Sequence, residues 1–449
     1  MLEPLYTADE MRAAEERFPG STEELMERAG RATAQHALDY FAAARSFTVV
    51  CGGGNNGGDG RVAAEALREA GRAVLVVDAK EGGDAGLGDP EVVVDALFGT
   101  GFSGEPRPDA ARLIERINGL GTPILAVDVP SGVDASTGQV AGAAIDADLT
   151  VTFHGEKVGL EVAPGRFRAG HVQLVDIGLD AVETKHARVS RSILGLVPLR
   201  AAGQNKYSAG SVLVLGGARG TTGAACLAAE AAFRADAGYV TVCAPAESLP
   251  VLETRLLEPV KRPLDDVFDA VERAGALALG PGLGRSDERR SLVRRLLAET
   301  DLPAVVDADA LFGLEPFERD AGTVLTPHSG ELGRLLGEES EWVDTHRLEA
   351  LARAVERFGC VVLLKGAEML VGAPDEGVLV CPLGRPSLAT AGTGDVLTGI
   401  IGAFLAKGLE PRIAAAAGAI ALGQASIDVP QQAGLVASDL LAVLPRVLA

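Results

Sequence analysis

Aromatic residues are scarce in this chain: 4% of 449 residues, although 47% are hydrophobic. The cores must therefore be built mainly from Ala, Val and Leu. Positive charge is outnumbered as well, with 41 Lys and Arg against 62 Asp and Glu, a formal net charge of −21. Such a surface argues against nucleic acid or anionic membrane as a partner. The five cysteines, Cys51, Cys226, Cys243, Cys360 and Cys381, contain no C-x-x-C pair. Several fall in strand-like runs, which predicts buried free thiols and suits a reducing cytoplasm, the expected location. No basic segment followed by an apolar run stands at the start, so no signal peptide is read. The longest weakly polar stretch, 413–427, is Ala/Gly-rich, is interrupted by Gln424 and Ser426, and reads as a buried helix rather than a membrane span. The 56 glycines follow no short period, which removes a collagen-like or low-complexity reading.

Short β-rich runs alternate with helical patterns along the whole length, the signature of parallel sheets covered on both faces. A helical segment at 7–40 comes first. Strands are expected at 47–51, 73–77, 92–97, 123–127, 149–153 and 172–176, and again at 211–215, 239–243, 276–279, 304–306, 323–325, 361–364 and 378–381. The polar, basic stretch 180–203 has little β character. A boundary near 190 gives two α/β domains, 1–190 and 191–449.

Thr390-Ala391-Gly392-Thr393-Gly394-Asp395 precedes the apolar run 396–406, and Lys407-Gly408 follow it. This is a glycine turn opening a helix, with a carboxylate in the first turn and a glycine past the end. Free N–H groups and the positive end of the dipole make the turn an anion site. A carboxylate there repels an idle anion but can take a proton from an attacking hydroxyl. The combination points to phosphoryl transfer to an alcohol. The plainer reading of Asp395 is helix-dipole stabilisation alone.

In the first half, Gly52, Gly54 and Gly57 formally satisfy G-x-G-x-x-G, with Asp78 ending the next strand, so a dinucleotide dehydrogenase is a competitor. Against it, Asn55, Asn56 and Asp59 crowd the turn where a pyrophosphate needs bare backbone. A helix is expected from about Arg61. Asp95-Ala96-Leu97-Phe98-Gly99-Thr100-Gly101 and Asp128-Val129-Pro130-Ser131-Gly132-Val133-Asp134 also stand at strand ends, which converge on one crevice in an open parallel sheet. Each alone reads as a turn or cap; together they mark a site. Asn56, Asp95 and Ser131 offer only oxygen ligands with one formal charge, suited to a weakly hydrated monovalent cation rather than Zn²⁺.

Residues 10–180 resemble the NAD(P)H-hydrate epimerase family, through N-N-G-G-D-G at 55–60, D-A-L-F-G-T-G at 95–101, D-V-P-S-G-V-D at 128–134, and the flanking Glu24–Gly30 and Lys157–Leu160. The resemblance implies a Rossmann-like doubly wound sheet. It places the hydrated nicotinamide nucleotide on Asn55, Asn56, Gly57, Gly58 and Asp59 and on Gly99, Thr100, Gly101, Phe102, Ser103, Gly104 and Glu105. It also implies K⁺ on Asn56, Asp95 and Ser131, and Asp128 against the reacting hydrate. From 203 onward, N-K-Y-S-A-G at 205–210, the glycines at 216–217 and 220–223, G-P-G-L-G at 280–284, D-A-D-A at 307–310, T-P-H-S-G-E at 326–331, Leu364-Lys365-Gly366 and Gly392–Asp395 resemble the ADP/ATP-dependent NAD(P)H-hydrate dehydratase family. That implies a ribokinase-like α/β fold with Asp395 as catalytic base and Gly392, Thr393 and Gly394 as the anion hole. Lys365, Gly366, Ala367, Glu368, Met369 and Gly394 would line the adenine nucleotide, and Ala224, Gly282 and His328 the hydrate.

His328 also reads as a turn histidine, Asp307 and Asp309 as strand-end caps, Glu331 as a helix-start carboxylate or a partner of Mg²⁺ through water. Arg385, where the family often has Asn, either contacts phosphate or lies on the surface. The expected activity is repair of NADH and NADPH hydrates. The R and S forms are interconverted and the S form is dehydrated with ADP as donor, or ATP, together with Mg²⁺. A homo-oligomer is expected. Two alternatives remain: a small-alcohol or vitamin-precursor kinase, which Gly392–Asp395 alone would permit, and a nucleotide sensor without turnover.

Overall fold

The computed structural model describes residues 1–431 and 433–448. The chain divides into two compact units, one of Pro4–His186 and one of Ala187–Ala449 together with Met1–Glu3.

The first unit is built on a six-stranded, all-parallel sheet in the order Ala73–Asp78, Ser46–Cys51, Val92–Ala96, Ile124–Val127, Leu149–Phe153, His171–Val175. Val92–Ala96, Ile124–Val127 and Leu149–Phe153 are buried at every position, as continuous apolar runs under two helical layers must be. Chain order reverses at Ser46–Cys51, so the crevice at its carboxyl end lies between it and Val92–Ala96. Two corrections apply to the sequence reading. The segment 7–40 is two helices, Ala8–Glu16 and Thr22–Tyr40, each with its own hydroxyl cap, Thr7 and Ser21. The helix after the glycine loop begins at Asn55, with Gly54 as its N-cap, rather than at Arg61. The asparagines therefore form its first turn.

The second unit has an eleven-stranded sheet in the order Leu2–Leu5, His186–Val189, Leu379–Cys381, Met369–Gly372, Val361–Leu364, Thr323–Leu325, Ala304–Val306, Ala276–Leu279, Ser211–Leu215, Tyr239–Ala244, Val260–Pro263. It is not wholly parallel. Met369–Gly372 runs antiparallel to both its neighbours, because a short hairpin follows Val361–Leu364 where a crossover helix would otherwise stand. His186–Val189 also places a strand inside the stretch read as lacking β character. Thr393–Ala406 and Pro411–Asp428 pack their Ala- and Gly-rich faces into this core, with every residue from Val396 to Leu405 buried. Among the described residues no helix is long and apolar enough to cross a membrane.

Both units use a glycine in the same way. A Cβ on Gly52, after the first unit's reversing strand, would lie 2.0 Å from the Leu97 carbonyl oxygen, and one on Gly216 would lie 2.0 Å from that of Pro281. In each case the loop after the neighbouring strand closes down on the strand end. The cysteines are free; four are buried and Cys360 is half-buried.

Candidate active sites

At the carboxyl edge of the first sheet lies a cavity of about 710 Å³, lined by Glu15, Asn55, Asn56, Asp59, Gly99–Phe102 and Asp128, with Phe98 and Phe102 stacked at 4.7 Å on one wall. Asp128 adopts φ 69°, a left-handed conformation for a residue with a side chain, of the kind that concentrates at functional sites. Its Oδ1 accepts from Lys157 Nζ at 2.6 Å and from Thr152 Oγ1 at 3.2 Å. Lys157 has no solvent-exposed surface. Its ammonium is saturated by Asp128, Thr152 Oγ1 and the Phe153 carbonyl, the last two at 2.8 Å. Burial, then the charges of Asp128 and Glu15, push Asp59 up to about 8, and burial with Asp128 also raises Glu15. The cavity thus holds a carboxyl that keeps its proton at neutral pH beside one locked in an ion pair, the separation of roles that acid–base chemistry needs.

Beneath the same crevice, Asp95 is fully buried and pushed up to about 6 by burial, against hydrogen bonds from Ser131 and the Leu97 N–H. Asn56 donates through Nδ2 to the Phe98 carbonyl at 2.8 Å, while its Oδ1 is buried with no donor among the described residues. An orphaned acceptor beside a buried carboxylate is a place where a cation would relieve both. Gly57 and Gly58 do not line the cavity; they give room to Gly52 and to Met26. Ser103, Gly104 and Glu105 are exposed and lie outside the lining too.

In the second unit a charged cluster gathers at consecutive strand ends. Lys365 Nζ, just after Val361–Leu364, donates to Asp307 Oδ1 at 2.7 Å and lies 3.8 Å from Glu331 Oε2. Asp307 follows Ala304–Val306, and its Oδ2 accepts from Thr398 Oγ1 at 2.8 Å, deep in the helix Thr393–Ala406. A Cβ on Gly394 would stand 3.3 Å from Lys365 Nζ and 3.5 Å from Asp307 Oδ2, which puts that helix start directly on the ion pair. Burial opposes the charge on Lys365, but Asp307, Glu331 and Asp395 outweigh it and its pKa is raised. Asp395 is pushed up to about 7 by burial and Asp307, with Lys365 opposing and Asp309 and Glu331 adding. Gly392, the N-cap, sits at φ 95°.

A curated relative from Moorella thermoacetica, a bifunctional NAD(P)H-hydrate repair enzyme, is 38% identical, with 94% of this chain and 92% of the relative covered. The chain belongs to this family of bifunctional NAD(P)H-hydrate repair enzymes. The repair enzyme of Escherichia coli is 36% identical over 95% of this chain and 89% of its own length. The NAD(P)H-hydrate dehydratase family model matches residues 212–446, and the YjeF-related N-terminus model residues 22–86 and 78–159. Among solved structures, an ADP/ATP-dependent NAD(P)H-hydrate dehydratase from Bacillus subtilis, co-crystallised with ATP and Mg²⁺, superposes at TM-score 0.53. It is 28% identical and covers 57% of this chain and 96% of its own. A ribokinase-like superfamily protein of Enterococcus faecalis gives 0.54 at 25% identity, with 60% and 97% covered.

In this repair enzyme the remaining dehydratase-side residues fall in four places. Ala224 stands in the first turn of Thr222–Arg234, and the Thr221 hydroxyl before it bonds the Gly282 carbonyl at 3.0 Å, so these two positions adjoin. His328 is the N-cap of Ser329–Leu336: its Nδ1 accepts from Gly330 N, and Glu331 Oε2 accepts from His328 N. Along 365–369, Lys365 and Gly366 follow the strand end, Ala367 is exposed and Met369 opens the next strand. Glu368 is buried against Arg347, with Arg347 Nε at 2.7 Å. Arg385 is half-buried and donates to the Val429 and Gln431 carbonyls, tying down a loop.

Lys157, Glu15 and Thr398 were not singled out from the sequence as site residues, and Asp307 only as one reading of two. Lys157 had a signal, a lone cation shortly after a strand end and followed by apolar residues. Thr398 had a fainter one, a hydroxyl three residues after Asp395 in an otherwise apolar helix. Glu15 had none, because it lies on an ordinary amphipathic helix.

Proposed function

We infer that this enzyme epimerises the R and S hydrates of NADH and NADPH and dehydrates the S form at the expense of ADP or ATP. The observation that carries this is a family match over nearly the full length, with one family model inside each compact unit. We assign epimerisation to the first unit and dehydration to the second.

In the epimerase cavity, Asp59 and Asp128 suit a proton-relayed inversion at C6. The protonated Asp59 gives its proton to the departing C6 hydroxyl while the ring nitrogen pair forms the C6=N bond. Water then adds from the opposite face and returns a proton to a carboxylate. Lys157 and Thr152 hold Asp128 in place for this. Asn56, Asp95 and Ser131 fit K⁺ by the orphaned Asn56 oxygen and the single buried carboxylate; when bound, the ion would neutralise Asp95 and stiffen the turn under the substrate.

In the dehydratase centre, Asp395 takes the proton of the C6 hydroxyl as its oxygen attacks the terminal phosphoryl group of ADP or ATP, whose bridging P–O bond breaks so that AMP or ADP leaves with the bonding pair. The amides of Gly392–Gly394 and Lys365 face the charge that develops. Phosphate then leaves C6 with its bonding pair and the C5 proton is lost, which restores the ring double bond. Among the described residues no three His, Cys, Asp or Glu side chains form a metal cage. That fits Mg²⁺ held chiefly by nucleotide phosphates and water, where it neutralises phosphate charge. ADP is the proposed donor.

The test supplies mixed R/S hydrate with ADP or ATP and follows recovery of NAD(P)H, with and without chelator. Complete conversion is expected. Recovery that halts with R hydrate unconsumed removes the epimerase assignment, and preference for ATP removes the donor assignment. Full activity in excess chelator removes Mg²⁺.

A further inference from the structure

The second unit holds a cavity of about 420 Å³ that the chemistry above leaves unused, within the range of about 300–1,000 Å³ typical of small-molecule sites. Arg285, Arg290, Arg334 and Arg357 line it against Glu315 and Glu331. That is a local excess of positive charge on a chain whose net charge is −21. Asp309 pairs with Arg285, Asp287 with Arg290, and Arg294 with Glu315. Among the described residues, Arg334 and Arg357 have no carboxylate partner.

Phe312 also lines the cavity and is 37% exposed. The guanidinium carbons of Arg285 and Arg290 stand 5.2 and 5.9 Å from its ring centroid. A flat ring flanked by cations suits a purine. The cavity also shares a wall residue with the catalytic cluster. Glu331 lines it and lies 3.8 Å from Lys365, and Ala308 directly follows Asp307. The cavity is bounded by the turn after Gly282 and the helix after His328, the positions assigned above to the hydrate. A dinucleotide whose reacting ring sits there still has a second nucleoside and its phosphates to place, and none of the positions assigned to the adenine nucleotide donor, 365–369 and 392–394, lines this space.

We propose that this cavity is the subsite for the adenosine half of the hydrate, with the adenine against Phe312 and Arg334 and Arg357 receiving the 2′-phosphate that distinguishes NADPH hydrate from NADH hydrate. The proposal rests on the dehydratase reading. Arg334 and Arg357 are exposed, so their replacement leaves the fold intact.

The test uses the full-length protein with ADP and the S hydrates of NADPH and NADH measured separately. In the double variant Arg334→Glu/Arg357→Glu, KM for NADPH hydrate is expected to rise at least about tenfold, a floor set by the loss of either one of its two charge-assisted contacts. KM for NADH hydrate should stay within about threefold, with kcat and KM for ADP unchanged. The variant Arg334→Lys/Arg357→Lys should keep most of the discrimination, and Phe312→Ala should raise KM for both hydrates. Adenosine 2′,5′-bisphosphate should compete with NADPH hydrate in the parent and weakly in the Glu variant. Unchanged KM values, or equal changes for the two hydrates, overturn the subsite while leaving the dehydratase reading standing. A parent that dehydrates neither hydrate overturns that reading instead.

Discussion

Replacing Asp395 by Asn should make the second unit more stable and the dehydratase inactive, and both effects follow from one environment. The carboxyl is pushed up to about 7 chiefly by burial and by Asp307, whereas in the unfolded chain it titrates near 4. The folded state therefore holds the proton longer. Stability declines as pH rises from about 4 to 7 and is flat above that, because over this window the folded chain binds more protons than the unfolded one. The separation amounts to about 4 kcal/mol at pH 8, and under 1 kcal/mol at pH 4. The favourable helix dipole at the N-terminus, about 0.3–1 kcal/mol, offsets a little of it. Asparagine carries no charge and escapes the decline. The lone tryptophan, Trp342, lies in the second unit, stacked on His346, so its fluorescence in urea reports that unit. The stability gain of Asp395→Asn over the parent should grow from pH 4 to pH 8. ADP-driven dehydration should fall at least ~10²-fold, as for loss of a positioned base. A gain that does not change with pH, or a less stable variant at pH 8, would refute the account of a carboxylate held against its own burial.

Lys157→Met should abolish epimerisation, by at least ~10²-fold, because it leaves Asp128 without its buried partner; dehydration of pure S hydrate should continue at the parent rate, and surviving R-to-S conversion would count against Lys157. Epimerase kcat/KM should fall as pH rises through about 8, where Asp59 loses its proton, and a profile level to pH 9 would remove Asp59 as the acid. Asp95→Asn should erase any stimulation of epimerisation by K⁺ over Na⁺ while sparing dehydration; stimulation retained in the variant would place the ion elsewhere.

Buried central strands were plain in the sequence, because a strand covered on both faces must be apolar throughout: 149–153, 211–215, 276–279, 304–306, 323–325 and 361–364 match the structure to the residue. The strands that escaped lie at sheet margins or in the short hairpin. Val260–Pro263 is the half-buried edge V-K-R-P, His186–Val189 carries charge on its open positions, and Met369–Gly372 ends in glycine. Half-burial leaves Val260–Pro263 without an apolar run, and the buried pairs Ala187/Val189 and Leu370/Val371 are too few residues to make one. The site divides similarly. Asp128, Asp95 and Asp395 stand next to glycine or proline turns and were legible from spacing. Asp307 became unambiguous only when folding brought Lys365 to it across 58 residues, a relation that no local pattern encodes.

The thiols have a consequence for how this enzyme ages. Burial pushes Cys51 up to about 11 and Cys243 and Cys360 up to about 12, and raises Cys226 and Cys381 as well. At pH 7 roughly one Cys51 in ten thousand is a thiolate, and fewer still at Cys243 and Cys360. The thiolate is the form that peroxides and electrophiles attack. The protein that reverses chemical wear on a diffusible cofactor thus keeps its own thiols protonated, so its cysteines should be slow to react with the peroxides and electrophiles that attack thiolates.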